Sequence, residues 1–101
     1  MRHVELALRP SETLLRGEWI VRANAVVPDE TCKRIEALTT SLLKHLASDA
    51  TGWDSLFQDP ADGRLWELYY PKSEMHGGGP PSLRNVTTLQ AISKYTLSAT
   101  P

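Results

Sequence analysis

The spacing of apolar positions changes several times along this chain, and each change marks an element. Val4, Leu6 and Leu8 alternate with His3, Glu5, Ala7 and Arg9. That period of two is the mark of a half-buried strand. Pro10 closes it, and Ser11-Glu12-Thr13 reads as a turn. Between Gly17 and Val27, Trp19 and Val21 share one face while Glu18, Ile20 and Arg22 share the other. Ala23-Asn24 supplies a reversal, since Asn tolerates the positive φ of tight turns, so this stretch predicts a hairpin. From Asp29 the period lengthens. Cys32, Ile35, Leu38, Leu42, Leu43 and Leu46 form one stripe at helical spacing. Asp29 is a good N-cap, and Glu30 suits the positive end of the helix dipole. Lys44 and His45 suit its negative end. The pattern predicts a helix ending around Ser48–Thr51, with Gly52 just beyond.

The second half returns to strands. Trp53, Leu56 and Phe57 open a strand or half-turn. Asp59-Pro60-Ala61-Asp62-Gly63 is a turn in which Pro sets φ and Asp-Gly permits the reversal. Arg64 to Tyr70 is the strongest strand, with Trp66, Leu68 and Tyr70 on one face and Leu65, Glu67 and Tyr69 on the other. Pro71 ends it. Leu83 to Val86 gives a short strand. Thr87 and Gln90 have capping-box spacing, which predicts a helix over 89–95. Residues 96–101 read as a frayed tail. The strand–helix alternation of a parallel sheet is absent. The expected fold is α+β: one small domain over residues 1–101, a mostly antiparallel sheet, one long amphipathic helix on a face and a short C-terminal helix.

Composition bounds function more than fold. A chain of 101 residues has room for one modest core and little for a deep cavity. A net charge of −1 argues against a nucleic-acid partner, which calls for a basic footprint. The charge is uneven, however. Over residues 49–76, Asp49, Asp54, Asp59, Asp62, Glu67 and Glu74 face only Arg64 and Lys72, which suits a basic protein partner. Cys32 is the single cysteine, so no internal disulfide forms and a reducing, cytoplasmic setting is expected. No signal peptide or membrane span is read from the sequence.

Candidate chemistry is sparse. His3, His45 and His76 are scattered, without metal-ligand spacing. Gly77-Gly78-Gly79 runs into Pro80-Pro81, where a phosphate loop needs Lys-Ser/Thr. Ser73, Glu74 and His76 are neighbours in sequence, which is not how catalytic triads are built. Cys32 lies on the helix stripe and reads as a core residue. Acid–base work by Asp62, Glu67 or Glu74 is open, but a turn accounts for Asp62 and a solvated strand face for Glu67, which makes it the less economical reading for those two. Trp19, Trp53 and Trp66 read first as core anchors, with interface contact the other role open to one or two of them. The 72–81 loop is the unusual segment. Three glycines cost backbone entropy and two prolines remove donors, so the loop is either a shaped connector or a recognition element.

Several segments, taken in order, resemble the immunity-protein-27 family of bacterial polymorphic-toxin systems. They are Arg9-Pro10-Ser11-Glu12-Thr13 leading to Gly17-Glu18-Trp19; Asp29 to Leu38; Gly52-Trp53; Asp59 to Glu67; Tyr70-Pro71; and Ser73 to Pro81. The resemblance spans roughly residues 6–95, and the run from Ser73 to Pro81 is its most specific part. It implies a cytoplasmic antidote that binds a cognate toxin domain and blocks it, without catalysis or cofactor; the absence of a metal site and of nucleic-acid or membrane partners is the reading of histidine spacing, charge and hydropathy given above. It does not say which residues touch the toxin. The charge and loop arguments point to Asp59, Asp62, Arg64, Glu67, Glu74, His76, Gly77, Gly78, Gly79 and Pro80. Two other readings stay open. One is a small-ligand or catalytic domain using Glu74 and His76 in the glycine loop. The other is a subunit that dimerises through a strand edge, so both monomer and homodimer are open.

Overall fold

A computed structural model describes residues 7–73 and 78–95. Its strands are β1 (Leu14–Arg16), β2 (Trp19–Arg22), β3 (Ala25–Pro28), β4 (Lys44–Ser48), β5 (Ser55–Gln58), β6 (Leu65–Tyr69) and β7 (Ser82–Val86). Its α-helices are α1 (Glu30–Ala37) and α2 (Thr88–Lys94), and a π-helical turn, Leu38–Leu42, extends α1. Five strands form one antiparallel sheet in the order β1-β7-β6-β5-β4, and β2 and β3 form a separate hairpin. The fold class is α+β, as the spacing predicts. The strand expected over residues 4–8 lies largely outside the described residues, and so does the tail 96–101.

Local signals decide most of the boundaries. Asp29 Oδ1 accepts from the Cys32 amide at 2.8 Å, starting α1. Thr87 and Gln90 exchange side-chain and backbone hydrogen bonds at 2.8 and 3.1 Å, a complete capping box for α2. Ala23 and Asn24 both take positive φ, +53° and +66°, closing the β2–β3 hairpin.

The helix expected to reach Ser48 instead ends at Leu42. Thr39 and Thr40 turn their hydroxyls back onto the carbonyls of Ile35 and Glu36, at 2.9 and 2.8 Å. Such back-bonding competes with the helical ladder. The Leu43 amide reaches Leu38 O, five residues back, at 2.8 Å, and Leu43 itself is extended. Residues 44–48, expected in the last helical turns, form edge strand β4 beside β5, with a register shift between His45 and Ala47. Leu42, Leu43 and Leu46 remain packed in either geometry, which is why the stripe ran on.

Each face of the sheet carries an apolar core. Leu8, Leu15, Ile35, Leu38, Leu43, Phe57, Trp66 and Leu83 form the core beneath α1. Leu56, Ala91 and Tyr95 form a smaller one beneath α2, flanked by Leu46, Ala47, Leu65 and Val86. Trp66 is fully buried at the centre.

Residues 9–12 are strapped onto this body by two arginines. Arg34 of α1 donates to both Glu12 carboxylate oxygens, at 2.7 and 2.8 Å. Arg64 donates to the carbonyls of Glu12 and Arg9, at 2.7 and 3.0 Å. The Arg34 hydrogen bonds outweigh partial burial and hold the Glu12 carboxyl at about 2, against an ordinary 4.5. A carboxyl with a depressed folded pKa stabilises the fold above its unfolded value and loses that contribution as pH falls from about 4.5 toward 2. Glu12→Gln should therefore cost on the order of 1–3 kcal/mol at pH 7. Urea titrations from pH 7 down to pH 3 should show the variant's stability falling less steeply below pH 4.5 than the wild type's.

Candidate interaction surface

Strand β6 itself carries one charged candidate, Glu67, while Asp59, Asp62 and Arg64 belong to the turn before it. The turn 59–64 lies at its start and the 71–80 loop at its end, roughly 15 Å apart at 3.3 Å per strand residue.

The first group serves the turn itself. Asp59 is buried, and its Oδ1 accepts from the Ala61 amide at 2.8 Å. Asp62 accepts from the Arg64 amide at 2.9 Å and from Arg64 Nε at 2.7 Å, and these bonds lower its carboxyl pKa. Arg64 also stacks over Trp66, 4.9 Å from the ring centre.

Glu67, read from the sequence as solvated, is only 2% exposed. Its Oε1 accepts from Arg84 Nε at 2.8 Å and Nη2 at 2.6 Å. Its Oε2 accepts from Tyr95 OH at 2.6 Å and Lys94 Nζ at 2.8 Å. Burial pushes the Glu67 carboxyl up, but the bonds from Lys94, Tyr95 and Arg84 more than reverse it, so it titrates below the ordinary range. Burial and the same carboxylate push the Tyr95 phenol up. Lys94 also bridges to Asp54 at 2.6 Å, tying α2 to the β4–β5 turn.

The other end of β6 is built differently. Asp49 organises the β4–β5 turn, accepting from Thr51 Oγ1 at 2.7 Å and the Gly52 amide at 3.0 Å. The Trp53 amide donates to Thr51 Oγ1 at 3.1 Å. This scaffold presents Trp53, which stays 53% exposed and meets Tyr70 edge to face at 5.6 Å between ring centres. The glycine loop supplies its floor. A Cβ on Gly78 would stand 2.7 Å from the Trp53 ring, and φ there is +87°. A Cβ on Gly79, φ +76°, would stand 2.6 Å from the Lys72 carbonyl. Two of the three glycines are thus required by close approach and backbone sign together. Pro80 is buried beside them. Glu74, His76 and Gly77 lie outside the described residues.

Tyr70 lies between two depressions. An open recess of about 360 Å³ holds Trp53, Asp49, Asp54 and Ser73. A groove of about 280 Å³ runs toward α1 past Leu68, Pro81, Cys32 and Ile35. Cys32 is a buried thiol whose Sγ donates to Glu18 O at 3.4 Å, and burial raises its pKa. Among the described residues, no three His, Cys, Asp or Glu side chains are grouped to hold a metal ion. No helix among them is long and apolar enough to cross a membrane. Sequence reasoning left the role of Trp53 undivided from that of Trp19 and Trp66. Its position directly after Thr51-Gly52, in a turn, was the available signal of exposure.

What emerges is a small α+β domain with a half-exposed aromatic pair on a glycine floor. A family model described as Immunity protein 27 matches residues 21–87, well over half of the chain, and the protein belongs to that family. The match runs from β2 to the N-cap of α2 and takes in Trp53, Tyr70 and the glycine loop. No curated protein and no solved structure matches the chain.

Gly78→Ala should destabilise the fold by about 1–3 kcal/mol, through φ strain and collision with Trp53. Gly63→Ala is the control, because Gly63 has φ +79° but open space where a Cβ would go. Thermal melts should show a larger loss for Gly78→Ala. Only that variant should alter the near-UV circular dichroism of the Trp53–Tyr70 pair.

Proposed function

We propose that this protein is the antidote of a polymorphic-toxin pair, active in the cytoplasm of the toxin-producing bacterium. It binds the toxin domain encoded beside it and covers that domain's active site or its substrate's approach. Membership of the immunity family supports the reading, and the single structural observation that carries it is Trp53. A tryptophan left half exposed, held by a fixed turn, a second aromatic and a glycine floor, gives up little conformational freedom on contact. Such residues commonly dominate protein interfaces. Inhibition by coverage needs no catalytic group or cofactor. Tyr70 completes the proposed contact surface, and Gly78, Gly79 and Pro80, buried beneath it, hold its shape. Asp59, Asp62, Arg64 and Glu67 contribute by holding the sheet that presents it.

Trp53→Ala should weaken binding of the cognate toxin domain by about thirtyfold or more, equivalent to about 2 kcal/mol. The side chain lies outside both cores, so the melting temperature should change little. Titration calorimetry with the neighbouring toxin domain, alongside growth rescue on co-expression, measures this. Wild-type protein that neither binds nor protects would remove the proposal.

A further inference from the structure

On the sheet face under α2, paired residues of neighbouring strands stand side by side. One row reads Arg16, Ser82, Tyr69, and the next reads Leu14, Arg84, Glu67. The Arg84 guanidinium lies over the Tyr69 ring, 4.0 Å from its centre. Leu14 is exposed, so this half of the face is open. Beside Tyr69 there is a pocket of about 250 Å³ between Arg16, Lys72, Glu18 and Pro80.

Two features here are unspent by the fold, one in the pocket lining and one in the strand row beside it. Arg16 and Lys72 have no ion-pair partner among the described residues, whereas Arg84 is engaged by Glu67. The Ser82 hydroxyl, between Arg16 and Tyr69, is buried without a hydrogen-bond partner. Buried hydroxyls are normally satisfied, and each exception calls for a reason. Glu18 on the rim offsets one of these two cations, so the described lining of the pocket is net positive.

We infer that this pocket receives an acidic side chain of the bound toxin domain, with Arg16 and Lys72 contacting the carboxylate and Tyr69 packing its stem. The occupant is argued from charge. Arg16 and Lys72, without an ion pair among the described residues, attract a carboxylate, and a single side chain is what a pocket of this size admits. The pocket opens at the same end of the sheet as Trp53, since Gly78 lies against the Trp53 ring and its neighbour Gly79 against the Lys72 carbonyl. One partner can therefore engage both. The inference rests on the antidote reading and deepens it: the chain's acidic middle segment suggests a basic partner, whereas this patch demands acid on the partner too.

The test uses full-length protein and the toxin domain encoded by the neighbouring gene. Binding is measured across a salt series for wild type, for Arg16→Glu/Lys72→Glu, and for Lys44→Glu as a charge control on edge strand β4. Neither altered side chain in the double variant has an ion pair among the described residues, so folding should persist, as circular dichroism would verify. At low salt the double variant should bind about tenfold or more weakly, with slower association and a shallower salt dependence. Lys44→Glu should have little effect, and reversing an acid on the toxin should restore binding to the double variant. Unchanged affinity and salt slope in the double variant would overturn the inference while leaving the antidote reading standing. Retention of a short DNA duplex by wild type, lost in the double variant, would assign the patch to phosphate instead and also overturn it. A wild-type protein that does not bind the toxin domain would remove the antidote reading and this inference together.

Discussion

The carboxylate of Glu67 sits buried on the central strand with Arg84, Lys94 and Tyr95 all donating to it, and the second face of the sheet is arranged around it. Removing a carboxylate from water costs several kcal/mol unless its lone pairs are filled. Here every donor comes from a different element, or from a different point on one. Arg84 belongs to β7, Lys94 and Tyr95 to α2 and its C-cap. Lys94 carries the network on to Asp54, at the base of the turn that displays Trp53. The position of α2 is therefore fixed by this charge network together with the apolar contact of Ala91 and Tyr95 on Leu56. Leu89 and Ile92 remain exposed on the same helix.

That network also explains what was legible in the sequence and what was not. Signals carried by one residue and its near neighbours were readable. The Asp29 cap, the Thr87–Gln90 capping box, the Ala23-Asn24 reversal and the Asp-Gly turn all depend on contacts within a few residues. The C-terminal end of the main helix was not readable, because Leu42, Leu43 and Leu46 satisfy a helical stripe and a packed edge strand equally well. What separated the two was hydroxyl back-bonding at Thr39 and Thr40 together with pairing to β5. Strand β1, only three residues long, carried no period of its own and escaped notice. Glu67 looked like a solvated strand residue because its partners lie 17 to 28 positions away.

The candidate surface divides along the same line. The glycine loop could be singled out because glycines and prolines constrain the backbone whatever surrounds them. That Gly78 forms a floor for Trp53 needed the tertiary arrangement, since 25 positions separate the two. The acidic run was visible in composition, but its members are spent differently. Asp59 and Asp62 make a turn, Glu67 and Asp54 anchor a helix, and Asp49 shapes a loop. Charge counted along a chain is a weak guide to charge presented on a surface, because pairing within the fold removes much of it.

The turn that shapes Asp49 and the pocket that holds Arg16 and Lys72 flank the same aromatic end of the sheet. Their signs are opposite and neither is neutralised by an ion pair with the other. Among the described residues, opposite charges thus stand apart across this end of the sheet as a local dipole. In the field of a charged partner such a dipole feels a torque even where the net force is weak. The protein would arrive already rotated, aromatic end first, before any atom of the two surfaces had touched.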